Sequence, residues 1–234
     1  MKKLVSIAII FLFLSSCSKK NDNSAKPPPV AMDTIHKTYL ALGDSYTIGE
    51  SVAASERFPV QTVKILRQQN IDIVDPNIIA VTGWTSGDLL NALNNDPPKN
   101  NYSIVTLLIG VNNQYQGKSL NEYKTEFTEL LRRAVVYAGN NKAHVFVISI
   151  PDYSVTPFAQ GSDTAEIAKE IDDFNAANRA ITLSEGLAYI DITSISRDVK
   201  NDPSLVAGDG LHPSGEQYKK WSDLLAPVIL QKIQ

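Results

Sequence analysis

Short apolar runs and longer amphipathic stretches alternate along most of the chain. Tyr39-Leu40-Ala41-Leu42 carries no charge and ends at Gly43, so it reads as a buried strand stopped by a turn. Val60 to Gln69 has helical spacing, with Val60, Val63, Leu66 and Ile65 toward one side. Ile71 to Val81 is rich in strand formers but broken by Asp75-Pro76, which places its strand mainly at Ile78 to Val81. Ser103 to Ile109, Val145 to Ile150 and Ala188 to Ile192 are three further strands. Leu120 to Tyr137 predicts a long helix, with Tyr123, Phe127, Leu130, Leu131 and Ala134 on one face. Thr164 to Leu183 and Gly215 to Ile233 predict two more helices.

Strands that are apolar throughout, separated by helices, imply a parallel sheet covered on both faces. The expected architecture is one α/β domain over residues 38–234, a three-layer α/β/α sandwich around a central, mostly parallel five-stranded sheet. In such open sheets reactive residues gather on the loops beyond the strand C-termini. Chemistry is therefore expected just after Leu42, Val81 and Ile109, and ahead of the last helix.

The pattern differs before residue 38. Lys2 and Lys3 precede an apolar run from Leu4 to Leu14, followed by Ser15-Ser16-Cys17. A charged start, a short apolar core and small residues at a cleavage point describe a secretory signal over residues 1–16. A membrane-spanning helix needs about 20 apolar residues, more than this run supplies. Leu14-Ser15-Ser16-Cys17 resembles the lipobox of bacterial lipoproteins, in which the cysteine is acylated and becomes the mature N-terminus. An ordinary signal peptide containing a cysteine is the alternative. The resemblance implies an exported lipoprotein of the bacterial cell envelope, held to a membrane through Cys17. Residues 17–37 are polar and include Pro27-Pro28-Pro29, which suits an extended tether.

Composition narrows the functions. The 234 residues are 43% hydrophobic and 20% charged, which excludes a collagen-like or wholly disordered chain. The net charge is −3 with no basic block interleaved with aromatics, so no nucleic-acid partner is expected. One cysteine excludes an intrachain disulfide, and three dispersed histidines form no metal motif, so no metal or other cofactor is expected.

Four short blocks carry chemistry. Gly43-Asp44-Ser45-Tyr46 ends the first strand; a serine hydroxyl there becomes a nucleophile once a base removes its proton. It is neither a GxSxG elbow, because Thr47 replaces the second glycine, nor a P-loop. Asp209-Gly210-Leu211-His212-Pro213 precedes the closing helix, with an Asp spaced to orient a His. Gly83-Trp84 and Gly110-Val111-Asn112-Asn113 each follow a strand. A glycine amide and an asparagine NH₂ are suitable donors to an oxyanion. Taken singly, each block has an ordinary reading: a turn, a positive-φ glycine, an Asx turn, a capping Asp beside an exposed His.

Together, the order Gly-Asp-Ser, Gly, Gly-x-Asn, Asp-x-x-His resembles the SGNH hydrolases, also called GDSL esterases and lipases, over about residues 38–234. The resemblance implies their flavodoxin-like fold and a serine esterase acting through an acyl-enzyme. It implies Ser45 as nucleophile, His212 as base and Asp209 as its partner, with Ser45, Gly83 and Asn112 forming the oxyanion hole. Short acyl esters, acylated saccharides or lysophospholipids are the expected substrates. An acyltransferase, or a sugar- or lipid-binding lipoprotein on the same scaffold, is the alternative. Two positions depart from the family pattern. Tyr46 replaces leucine, a change expected to leave the reacting atoms untouched, and Asn113 replaces aspartate, keeping size but losing charge.

Outside these blocks, Asp72/Asp75, Asp172/Asp173, His36 and His144 read as solvated or structural. Asp152 to Phe158 reads as either a pocket wall or a surface loop, and Trp84 as either a substrate contact or a packing residue.

Overall fold

The computed structural model describes residues 36–233. The signal segment, Cys17 and nearly all of the tether lie outside the described residues. Five strands make one all-parallel sheet in the order β2-β1-β3-β4-β5. They are β1 (Tyr39–Gly43), β2 (Asn77–Ala80), β3 (Ile104–Leu108), β4 (Val145–Ile148) and β5 (Ala188–Ile190). Every residue of β1, β3 and β4 is buried. Successive side chains of a strand point to opposite faces, so both faces of the sheet are covered.

The helices are α1 (Ser45–Ile48), α2 (Phe58–Gln68), α3 (Ser86–Asn95), α4 (Val111–Tyr115), α5 (Leu120–Tyr137), α6 (Thr164–Ser184), α7 (Thr193–Arg197) and α8 (Gly215–Ile233). Helices α2 and α8 pack together, as do α3, α5 and α6 in series. Phe58 of α2 meets Tyr218 and Trp221 of α8, all fully buried. Tyr123, Phe127 and Phe174 fill the space between α5 and α6. Among the described residues no helix is long and apolar enough to cross a membrane.

Several boundaries differ from the sequence reading for identifiable reasons. Helix α3 was not expected, since Leu89 and Leu93 are its only fully buried apolar side chains. Its start is fixed instead by a capping box. Thr85 Oγ1 accepts the Asp88 N–H, and Asp88 Oδ2 accepts the Thr85 N–H. Strands β4 and β5 end two residues earlier than expected, because side chains take over the ladder's role. Asn175 of α6 brackets Ile150, accepting its N–H at 2.7 Å and donating to its carbonyl at 2.9 Å. Ser149 Oγ accepts the Ile192 N–H at 2.8 Å.

The order 2-1-3-4-5 reverses direction between β1 and β3, the place where open α/β sheets form their crevice. Immediately beyond β1, Asp44 caps the single turn of α1, its Oδ1 accepting the Tyr46 N–H at 3.0 Å. Asp44 is fully buried and its other oxygen has no partner among the described residues. Burial raises its pKa to about 7, against the smaller opposing effect of the Tyr46 amide. The folded protein thus holds a proton on Asp44 that the unfolded chain releases near pH 4, so this residue's contribution to stability falls as pH rises from about 4 to 7. Asp44→Asn keeps the cap and removes the charge. Its stability relative to the natural protein should increase between pH 5 and pH 8 in urea unfolding, toward a ceiling of about 4 kcal/mol. Parallel pH profiles for the two proteins would show that Asp44 is not a buried acid.

Candidate active site

Ser45 follows the cap as the first residue of α1. The first amides of a helix have no partner within it. Asp44 takes the Tyr46 amide, and the Ser45 N–H is left without a partner among the described residues. The loop after β2 brings Gly83 to the same place, with φ +85° and open space where a Cβ would stand. The positive φ expected of a turn glycine and an amide beside the cleft therefore occur at one residue. Its N–H is also free among the described residues.

Asn112, at the start of α4, is tied to that loop. Its Nδ2 donates to the Trp84 carbonyl at 3.0 Å, and Gln116 Nε2 donates to the Gly83 carbonyl at 3.2 Å. One of the two Asn112 amide hydrogens remains for a ligand. Trp84 itself packs against the core and contributes its carbonyl rather than its ring.

The segment ahead of α8 closes on itself, with Val206 bridged to Pro213 and Ala207 N–H donating to the His212 carbonyl at 2.7 Å. Asp209 Oδ1 accepts the backbone N–H groups of Leu211 and His212, an Asx-type turn that aims both side chains the same way. Asp209 Oδ2 lies 2.6 Å from His212 Nδ1. Partial burial works to raise the Asp209 pKa. Hydrogen bonds from Ser51, His212 and the two amides outweigh it and hold the carboxyl well below the usual range. An ionised Asp209 fixes the proton on Nδ1 and leaves Nε2 as an acceptor.

Ser45, Gly83, Asn112 and His212 line one cleft of about 140 Å³, with Asp209 behind the imidazole. The Ser45 hydroxyl and the His212 ring share it without a hydrogen bond between them among the described residues. Such contacts commonly tighten only when substrate binds. The other walls are Tyr46, Thr82, Val111, Tyr115, Tyr153, Phe158 and Leu211. Tyr153 and Phe158 make the Asp152–Phe158 segment a pocket wall. Tyr115 and Ser51 were not singled out in the sequence, which offers no periodicity or motif for them, and Leu211 was given no role within the Asp-x-x-His block. Tyr46 is closer to the chemistry than expected, since its ring packs against that of His212 with centroids 5.2 Å apart.

The other polar residues fall elsewhere. His36 pairs with Asp72, Arg67 with Asp75, Arg197 with Asp172 and Lys169 with Asp173, at largely exposed positions. Among the described residues, no group of three or more His, Cys, Asp or Glu side chains could hold a metal ion.

Asn113 explains its own departure from the usual aspartate. It is fully buried, its Oδ1 accepts the Ser86 N–H at 2.9 Å, and its Nδ2 donates to Ser86 Oγ at 2.7 Å. Ser86 Oγ in turn donates its single proton to Glu126 Oε2 at 2.5 Å. The carboxyl group of Glu126 thus stands one hydroxyl away from position 113. A carboxylate at 113 would compete with Glu126 for that proton. Asn113→Asp should therefore cost about 1–3 kcal/mol in urea unfolding at pH 8. The double substitution Asn113→Asp/Glu126→Gln should recover most of it, because the Gln amide can donate to Ser86 Oγ. Full stability in the single variant would remove Glu126 from this account.

A family model described as the GDSL-like Lipase/Acylhydrolase family matches residues 41–220. No curated protein matches the chain. Among solved structures, the lipase Lip_vut3 from a goat rumen metagenome superposes with TM-score 0.66 at 19% identity, covering 82% of this chain and 97% of that one. The lipase/acylhydrolase from Enterococcus faecalis gives 0.64 at 18% identity, covering 85% and 97%. The psychrotrophic esterase EstA from Pseudoalteromonas sp., in a structure inhibited by monoethylphosphonate, gives 0.61 at 18% identity, covering 83% and 97%. At these identities the structures speak for the fold, and the family match extends over most of the chain: it belongs to the GDSL-like lipase/acylhydrolases and is an SGNH-type ester hydrolase.

Proposed function

We propose that the protein hydrolyses esters of small acyl groups through a covalent acyl-enzyme on Ser45. The observation that carries this reading is the convergence of Ser45, Gly83, Asn112 and His212 on one cleft, with Asp209 bonded to the far side of the imidazole. Ser45 Oγ attacks the ester carbonyl while His212 Nε2 takes its proton. The Ser45 and Gly83 amides and the free Asn112 Nδ2 hydrogen receive the negative charge that develops on the carbonyl oxygen. The imidazolium, stabilised by Asp209, passes its proton to the departing alcohol. Water, activated by the same nitrogen, then releases the acid and restores Ser45.

Cleft size and lining support the acyl class. A dry apolar cavity of about 150 Å³ accommodates benzene, and this one, at about 140 Å³, is mostly apolar. Tyr115, Tyr153 and Phe158 form a cluster with ring centroids 6.0 to 6.2 Å apart. Tyr115 and Phe158 are 59% and 46% exposed, so they stand at the mouth. An acyl group of up to about six carbons, or one aromatic ring, fits that space. A long fatty chain would run out past Tyr115 and Phe158 into solvent.

Ser45→Ala and His212→Ala should lower kcat on p-nitrophenyl butyrate by on the order of 10⁴- to 10⁶-fold. Asn112→Ala should lower it by about 10²- to 10³-fold. Across acyl lengths, kcat/KM should peak at short or benzoyl groups and drop by at least about tenfold at dodecanoyl. Folded Ser45→Ala protein with undiminished turnover would overturn the nucleophile, and a maximum at long chains would overturn the acyl class. The lipobox-like Leu14–Cys17 supports export and attachment to the cell envelope through Cys17. In membrane fractionation Cys17→Ser should move the protein out of the pellet, and an unaltered distribution would refute attachment at that cysteine.

A further inference from the structure

The turn after α1 links the nucleophile to the acid by a second route. The N–H groups of Gly49 and Glu50 both donate to the Ser45 carbonyl, each at 3.0 Å. Ser51 follows with φ +64°, a left-handed conformation in which non-glycine residues are uncommon. That conformation turns its hydroxyl across 158 positions of sequence to Asp209, where it donates to Oδ2 at 2.6 Å. The same oxygen receives the His212 Nδ1 proton. On the other side, Glu50 accepts a hydrogen bond from Thr82, the neighbour of Gly83. Two adjacent residues therefore grip the acid and the oxyanion loop from a turn that hangs on the serine's own carbonyl.

We propose that Ser51 is a positioning residue for the triad, holding Asp209 in register with His212 and sharing its carboxylate oxygen. This rests on the assignment of His212 as the base and adds a fourth member that acts through Asp209. Strained backbone at a site is worth retaining when it delivers a specific contact. Here the contact is the Ser51 hydroxyl on Asp209.

The sign of the effect follows from sharing. Without the Ser51 hydroxyl, Asp209 Oδ2 keeps only the imidazole as a side-chain donor, becomes more basic and stabilises the imidazolium more strongly. The acid limb of the kcat/KM profile should move to higher pH. The other titratable groups around Asp209 and His212 are Asp44 and Tyr46 at α1, Glu50 on the turn, Asp152 and Tyr153 after β4, and Tyr218 of α8. Asp44 changes charge near neutrality, so the comparison is made in both natural and Asp44→Asn backgrounds.

Ser51→Ala and Ser51→Gly separate hydroxyl from backbone. Glycine relieves the positive φ and alanine does not, but both lose the donor. If the hydroxyl acts, both raise the acid limb, and the His212 pKa followed by NMR titration of the ring, by about half a unit to one unit. Their thermal stabilities should nevertheless differ, with glycine the more stable. A normal profile and normal His212 titration in both variants would overturn the proposal. So would a normal profile in Ser51→Gly with a shift only in Ser51→Ala. The titration needs no turnover, so it remains decisive even if Ser45→Ala retains activity and the assignment of the base fails.

Discussion

At Gly43 a hydrogen stands where any other residue would place a carbon. A Cβ there would lie 2.1 Å from Thr47 Oγ1 and 2.4 Å from the Leu108 carbonyl oxygen. The end of β1 is thus pressed at once against its own following turn and against the end of β3. That close approach lets the chain fold back within one residue, so that Asp44 caps and Ser45 begins a helix. It also sets the residues after β1 beside those after β3, at the reversal of strand order. Ser45 and Asn112 are neighbours because their strands nearly touch.

Around this point the loops are held by side chains bonded to backbone. Asn112 and Gln116 take the carbonyls of the Gly83 loop, Asn113 takes the Ser86 amide, and Asn175 brackets Ile150. Short amides and hydroxyls substitute for ladder bonds where the strands have ended. Buried polar groups satisfied in this way fix a single geometry. A cleft edged by loops then keeps the definition of one built on regular elements, which is what preorganised donors require.

The sequence carried some of this plainly. Helices α5 and α8 have long apolar faces and begin and end where periodicity places them. The strands are legible because β1, β3 and β4 are apolar at every position, while β2 was recovered through its flanking Asp-Pro break. The blocks holding Ser45, Gly83, Asn112, Asp209 and His212 are local, so their spacing survives in one dimension. Helix α3 was missed because a capping box and two leucines specify it, rather than a continuous stripe. Ser51 and Tyr115 were missed for a different reason. Each is a solvent-facing residue whose partner lies far away in sequence, Asp209 for one and Tyr153 with Phe158 for the other. Only tertiary contact gives them meaning.

The chain enters the domain at the edge opposite its working face. Lys37 is pinned there by backbone bonds to Asp72 and Val74, and its Nζ donates to the Ile233 carbonyl at the close of α8. From Tyr39 the five residues of β1 carry the polypeptide about 16 Å, straight through the sheet, before Ser45 emerges. The described chain therefore begins at the rear pole, at the opposite ends of the strands from the cleft. The residues at which the described chain begins take no part in lining that cleft.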